Sequence, residues 1–510
     1  MLAAFLAAFS ILTVPITVKV ISLCSKEKQL SKFDGCQDPP CERPYDYFGV
    51  VNIIAATRHL LNKTALANTV DRFRTYGETY VTRFLDQRIF LTCDPRNIKH
   101  VLVSRFIDYD SSTVRVHLFL PITEHGIFAV DGPEWKRARN VYRNVFSRTR
   151  SIIDLNVQER QFQRFLHRIP PTGEPFDLQA LFLKLTLDLT TAFALGESVD
   201  SLSPSQSDEK KQMVQSLLYA KKIIARDGFL GPLRLLFGRR DFYRACSDVH
   251  RYVERRIEGV IEEKRQQGED GGLEKHLKGF NLLQALADNT DNVLELRDGV
   301  ISIMIAGIDS VASLLSATFW LLARDERVFA KLRASVLDSF GQELPNYDQL
   351  KGLTYLRHVF QEAMRVYPPV PFNARIANKD STLLYGGGGD GNSSVLVKKG
   401  DKVIFSSWAS HRSLKTFGED SHEFRPERWE HLTAEELMGY IPFNSGPRAC
   451  PGQQYAMMEA SYAAVRILQN FSEVKNRDPR GWTEHIALSL SNGNGVLVEL
   501  VRKSEVQNVT

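Results

Sequence analysis

The sequence predicts a mainly α-helical fold with small β-sheets, preceded by an N-terminal transmembrane helix, and three observations predict it. Residues 151–170, 175–196, 208–226, 241–267, 293–324, 326–340 and 355–366 carry apolar side chains at the spacing of a helix with one buried face. Strand-like pieces are short, at 80–84, 89–92, 395–397, 403–405 and 496–501, and they do not alternate with helices as a parallel βαβ sheet requires. Residues 1–24 are almost free of charge. These observations divide the chain into a transmembrane anchor at 1–24, a Pro-containing linker at 25–50 and one large domain at 51–510.

Composition bounds the function. A chain of 510 residues with 43% hydrophobic and 25% charged side chains is globular, which excludes wholesale disorder and a polytopic membrane protein. Lys plus Arg (65) exceed Asp plus Glu (60) by only 5, too small a surplus to imply nucleic acid as a partner. The 6 cysteines are too scattered for a disulfide scaffold, so a cytosol-facing environment is expected.

The anchor reads MLAAFLAAFSILTVPITVKVISLC, with Lys19 as its one charge. As a helix it spans roughly 30 Å of hydrocarbon. Lys26, Lys28 and Lys32 follow at once, and positive charge resists translocation, so the flank and the domain behind it are expected on the cytosolic side. A cleaved signal peptide would open on a basic stretch, which is absent. In the linker, Pro39, Pro40 and Pro44 exclude a helix, and Cys36 and Cys41 are expected as two solvated thiols. The glycine run from Gly386 to Gly391 lacks the Gly-Lys-Ser/Thr ending of a phosphate loop and is expected at a hairpin tip.

The sharpest stretch runs from Phe443 through Gly446, Arg448 and Cys450 to Gly452, followed by a helical pattern from Gln453. Its glycines let the backbone pass close to a flat partner, and amide N–H groups aimed at the sulfur would stabilise a thiolate. The positive N-terminal end of the following helix acts the same way. A buried structural cysteine would explain Cys450 alone but not the fixed offsets around it. Zinc fits poorly, because the nearest other cysteine in sequence is Cys246.

This stretch resembles the cysteine loop of the cytochrome P450 superfamily, Phe-x-x-Gly-x-Arg-x-Cys-x-Gly. The resemblance implies the cytochrome P450 fold and a haem b (iron protoporphyrin IX) whose iron takes Cys450 as axial ligand, which favours O–O cleavage. Other motifs then fall into the family's order. Glu362 and Arg365, on one helical face before Tyr367-Pro368-Pro369, match its Glu-x-x-Arg element, and Arg428 matches the arginine that completes its buried structural network. Asp309 and Ser310 occupy the place of its acid–alcohol pair, which carries protons to dioxygen, with Ser where Thr is usual. Gly307 is expected to loosen that helix, leaving a carbonyl for the alcohol. Trp135 and Arg139 match its Trp-x-x-x-Arg helix, and with Arg375 and Arg448 they are expected to hold the haem propionates. Lys136, Arg137 and Arg143 on the same helix suit an acidic redox partner.

Within the superfamily the chain is similar to the fungal alkane and fatty-acid hydroxylase branch, through residues 126–135, 396–400 and 444–455. The resemblance therefore implies a monooxygenase acting on a small apolar, aliphatic-chain substrate. No flavin or nicotinamide motif is visible, so a separate NADPH-cytochrome P450 reductase is the expected electron source. Substrate-facing residues are expected at 111–128, 216–237, 301–305, 370–373 and 488–490. Residues 228–240 suit either the headgroup boundary of a lipid membrane, the endoplasmic reticulum being the expected one, or a buried loop. Three alternatives stand: a tailoring oxygenase of fungal secondary metabolism, a reductase-independent haem isomerase or dehydratase, and a non-catalytic haem-binding protein.

Overall fold

A computed structural model describes residues 35–85, 87–267 and 281–502. The expected anchor and the first ten residues of the linker lie outside the described residues. The helices that carry the architecture are α1 (Val50–Leu61), α2 (Ala65–Tyr76), α3 (Ser112–Phe119), α4 (Gly132–Phe146), α5 (Leu155–Leu166), α6 (Leu178–Leu195), α7 (Asp208–Leu230), α8 (Arg240–Gln267), α9 (Val293–Leu322), α10 (Glu326–Phe340), α11 (Thr354–Val366) and α12 (Gln453–Asn470).

Local chemistry sets the helix starts. Asp154 accepts the Asn156 and Val157 amides at 2.9 and 3.2 Å, which begins α5 and splits the single helix expected over 151–170. Asn292 caps α9 through the amides of Leu294 and Glu295. α6 and α9 are apolar nearly all round and long enough to span a bilayer, but they are mostly buried and form the core. They lie against each other, with α11 and α12 on another side of α9. Phe165, Phe182 and Phe319 stack through this core at centroid separations of 5.7 and 5.5 Å.

The strands are β1 (Thr79–Phe84), β2 (Gln87–Thr92), β3 (Tyr109–Asp110), β4 (Phe176–Asp177), β5 (Phe372–Ala377), β6 (Ser381–Gly387), β7 (Ser393–Val397), β8 (Lys402–Ser406), β9 (Phe471–Asn476), β10 (Glu484–Ile486), β11 (Leu490–Asn492) and β12 (Leu497–Arg502). The largest sheet runs β1-β2-β8-β5-β3, with only β2 and β8 parallel. β4, β12 and β9 form a second sheet, and β6–β7 and β10–β11 are hairpins. The glycine run ends β6 and makes the turn into β7, as expected.

Two expectations are corrected. Cys36 is buried and Cys41 half-buried, because residues 37–42 bond to β1 and to Ser394: the Gln37 amide donates to the Ser394 carbonyl at 2.9 Å, and the Glu42 amide to Val81 at 2.8 Å. Gly307 does not interrupt α9, which is helical throughout. A Cβ at Gly307 would stand 3.1 Å from Thr190, so the glycine instead permits the close approach of α6.

Candidate active site

The loop from Phe443 to Gly452 is a tight turn closed by the Cys450 amide, which donates to the Phe443 carbonyl at 2.9 Å. Asn444 and Gly446 have φ of 64° and 69°, the left-handed region that Gly and Asn tolerate best. Gly446 is needed for a second reason. A Cβ there would lie 2.0 Å from the carbonyl oxygen of Leu102, in the π-helical turn His100–Ser104. By contrast, a Cβ at Gly452 would touch only the Phe146 ring at an ordinary 3.5 Å, so protein packing does not demand that glycine.

Gly452 caps α12, and its amide donates to the Cys450 sulfur. Burial nevertheless outweighs this bond and the positive charge of Arg139, and holds the thiol above its ordinary pKa. The Gly452 amide favours the thiolate, the direction the sequence suggested, but burial outweighs it, and a cation bound at the sulfur would supply the rest. Cys450 has accessible surface although it lies deep among the helices, so that surface faces an internal space.

Beside it, Arg115 from α3, Arg375 from β5 and Arg448 from the cysteine loop converge. Arg115 Nη2 and Arg375 Nη1 both donate to Asn373 Oδ1, at 2.8 and 3.2 Å. Arg448 pairs with Asp131, which also accepts the Ser111 amide. Burial lowers all three guanidinium pKa values, Arg115 to about 10 and Arg375 to about 9, and like charge adds to it: Arg448 on Arg115, Arg115 and Arg448 on Arg375, and Arg139 on Arg448. Asp131 is the one acid that opposes this shift in all three. The Arg448 guanidinium lies 4.4 Å from the centre of the Trp135 ring, and Trp135 packs on Phe106. Arg139 sits within electrostatic reach of both Cys450 and Arg448. An accessible cysteine next to a surplus of buried arginines fits a flat, iron-centred group with two carboxylates, so the residues present suit a haem.

Arg115 was not among the sequence-derived candidates. It belongs to no motif of its own and fell only within the general stretch 111–128 expected to face substrate.

Glu362, Arg365 and Arg428 meet as expected. Glu362 accepts from Arg365 Nε and Nη2 at 2.9 Å each, from Arg428 Nε at 2.8 Å, and also from Trp429 Nε1 and the Arg425 amide at 3.0 Å. Arg365 spends its remaining donors on the carbonyls of His411, Ser421 and Glu423. This network ties α11 to the chain that leads into the cysteine loop. His411 extends it: its Nε2 accepts the Ile441 amide at 2.9 Å, and burial drives its pKa down to about 3.

On α9, Ser310 Oγ donates to the Ala306 carbonyl at 2.7 Å, the backbone bond expected of the alcohol. Thr186 on α6 places its hydroxyl 2.8 Å from the Ile308 carbonyl, so two carbonyls within one turn of α9 carry a side-chain bond. Asp309 Oδ1 is 2.6 Å from Nζ of Lys221 on α7. The sequence placed Lys221 only within a general substrate-facing stretch. Burial pulls its pKa below the ordinary lysine range, while Asp309 raises it.

A separate surface bears on membrane contact. Leu235 and Leu236 are 75% and 79% exposed, which overturns the buried-loop reading of residues 228–240. Gly231, at the start of this turn, lies against Phe84, and Gly49, just before α1, lies against Arg83. The exposed Val50, at the start of α1, therefore lies at the same end of β1, and Ile54 and Leu61 are exposed further along that helix. Arg240 is exposed just after the turn, while Arg226 and Arg239 pair with the buried Asp227.

A model of the family described as Cytochrome P450 matches residues 39–492. The cytochrome P450 monooxygenase fsdH of Fusarium heterosporum is 36% identical, with 95% of this chain and 86% of that protein covered. The cytochrome P450 monooxygenase himC of Aspergillus japonicus is 36% identical, covering 97% and 89%. Cytochrome P450 52A13 of Debaryomyces hansenii is 35% identical, covering 83% of each.

Proposed function

The chain belongs to the cytochrome P450 family of haem b monooxygenases, and from that premise we propose that it is a membrane-associated hydroxylase of an apolar, aliphatic-chain substrate. The balanced reaction takes O2, a substrate C–H bond and two electrons with two protons, and gives an alcohol and water. When bound, a haem would supply the oxygen activation. Cys450 would hold its iron, with Phe443, Gly446 and Gly452 shaping the loop. Trp135, Arg139, Arg375, Arg448 and the additional Arg115 would hold its propionates. Ser310 and Asp309 hand on protons along α9.

The observation that carries this reading is the cysteine loop beside three converging arginines that have too little acid of their own. Electrons come from a separate NADPH-cytochrome P450 reductase, with Lys136, Arg137 and Arg143 exposed on α4 as its landing surface. The exposed apolar residues of α1 and 235–237, with the exposed Arg240 nearby in sequence, rest on the endoplasmic reticulum membrane and admit substrate from lipid. The catalytic domain faces the cytosol.

The test is optical. The purified haem protein is titrated with saturated fatty acids and alkanes of increasing length while the ferric Soret band is followed. A saturable low-to-high-spin shift with a length optimum supports an aliphatic-chain hydroxylase. No shift across the panel, in protein whose reduced carbon monoxide complex reports intact thiolate ligation, favours the tailoring oxygenase. Turnover without NADPH would instead support an isomerase or dehydratase, against which the intact acid–alcohol pair argues.

A further inference from the structure

We infer that Lys221 is a substrate-recognition residue which donates a hydrogen bond to an oxygen of the substrate, so that the substrate carries an acidic oxygen, a carboxylate or enolate. The inference rests on the haem monooxygenase reading and deepens it.

Lys221 is 4% exposed on α7, among Leu217, Ala220, Ile223 and Ile224, which are also buried. α7 packs chiefly on α8 and α3 rather than on α9, so the lysine reaches across from one helix to the other. It lies inside the stretch 216–237, expected from the sequence to face substrate. An ammonium has three N–H donors. Asp309 Oδ1 at 2.6 Å engages one direction, and no other acceptor among the described residues reaches Nζ. A buried ammonium with two donors left over is costly unless something meets them.

The surrounding field favours an anion. Lys222, on α7, Lys63, between α1 and α2, and His485, on β10, all act on the same region. Lys63 and Lys222 push the His485 pKa down, next to burial itself, and Asp309 pushes it up. Glu484 beside His485 is committed elsewhere, accepting the amides of Ala65 and Leu66. Asp309 pairs with Lys221, and it is the one carboxylate that acts on His485 beside the exposed Lys63 and Lys222. A second carboxylate or an enolate brings that balance closer to neutral.

The experiment uses the full-length haem protein and two matched series of iron-binding probes, imidazolyl alkanes and imidazolyl alkanoic acids with tails of about four to twelve carbons. The imidazole binds iron and shifts the Soret band, while tail length scans where the carboxylate falls. The expected result is an acid-over-alkane preference of about tenfold at one tail length, the size of one charge-assisted hydrogen bond. In Lys221→Met the preference falls to near unity with alkane affinity unchanged, and in Lys221→Arg part of it survives. In Asp309→Asn, where the lysine loses its resident anion, the preference grows, which a purely structural lysine would not produce. No preference at any length, or one that persists in Lys221→Met, overturns the inference and leaves Lys221 as the counter-ion of Asp309, solvated by bound water. No Soret shift with imidazole itself overturns the haem reading, and this inference with it.

Discussion

Arg428 donates Nε to Glu362 Oε1 at 2.8 Å across 66 residues of sequence, and both side chains are buried. That contact joins α11 to the segment that feeds the cysteine loop. Removing the acid from it leaves Arg365 as an uncompensated buried charge and Arg428 with Asp420 as its remaining acid, a loss of about 3–5 kcal/mol. Glu362→Ala is expected to give little haem-loaded protein, read as haem absorbance per mole of polypeptide. A fully loaded Glu362→Ala protein would show that the network does not support the loop.

Gly446→Ala tests the loop from the other side. The variant must hold a Cβ at φ 69° and 2.0 Å from the Leu102 carbonyl, so either the turn or the π-helical turn has to move. The left-handed conformation alone costs about 1–2 kcal/mol. The expected outcome is a folded protein, by far-ultraviolet dichroism, whose reduced carbon monoxide complex has lost the thiolate signature. Retention of that signature would mean the loop has slack that the structure does not show.

The motifs were legible because each is local. Glu362 and Arg365 are three residues apart on one helix, and the cysteine loop is a single turn. Helices α1 and α2 were not foreseen: Asn52, Arg58 and His59 interrupt the apolar pattern of the first, and the second mixes Asn68, Asp71 and Arg74 among its buried residues. Arg115, Thr186 and Lys221 were missed for another reason. Each acts on a partner more than 80 residues away, through a contact that only the packing of α3, α6 and α7 creates. Gly307 shows the converse, a residue correctly singled out for an incorrect cause.

Ser310 hydrogen-bonds to the Ala306 carbonyl, so its hydroxyl is held within the α9 groove rather than turned to solvent. Ser310→Ala removes that group and is expected to lower product formed per NADPH several-fold while peroxide release rises. Ser310→Thr restores the hydroxyl and adds a methyl that restricts its rotamer, so coupling should equal or exceed the parent's. Equal coupling in the alanine variant would remove Ser310 from proton delivery.

Two buried groups give the fold a pH dependence of opposite sign. His411 has its pKa lowered to about 3, so below its unfolded value near 6.5 the unfolded chain binds the extra proton, and stability falls as pH drops from about 6.5 towards 3. Glu459, buried on α12, has its carboxyl pushed up to about 8 by burial. The folded chain then keeps a proton that the unfolded chain has lost, and stability falls as pH rises from about 4.5 to 8. Each contributes at most about 1.4 kcal/mol per pH unit. Denaturant midpoints measured across pH should show Glu459→Gln flattening the upper limb and His411→Gln flattening the lower one. A Glu459→Gln profile that parallels the parent's would place the carboxyl's titration outside that window.

Arg115 offers a test in which two measurements move in opposite directions. Its guanidinium is pressed against the like charges of Arg375 and Arg448, and burial already disfavours all three. Removing one charge therefore relieves repulsion in protein without haem, so apoprotein of Arg115→Met should melt higher than the parent apoprotein. The same change removes a donor for the haem carboxylates, so the loaded variant should lose haem several-fold faster, followed by transfer to an excess of apomyoglobin. The bond from Arg115 to Asn373 works against the first effect, because its loss leaves that acceptor to Arg375 and the Ala374 amide. Repulsion among three buried cations outweighs one shared amide bond, which predicts the net gain. A variant that is less stable without haem and retains haem as well as the parent would identify Arg115 as a structural strut rather than a propionate ligand.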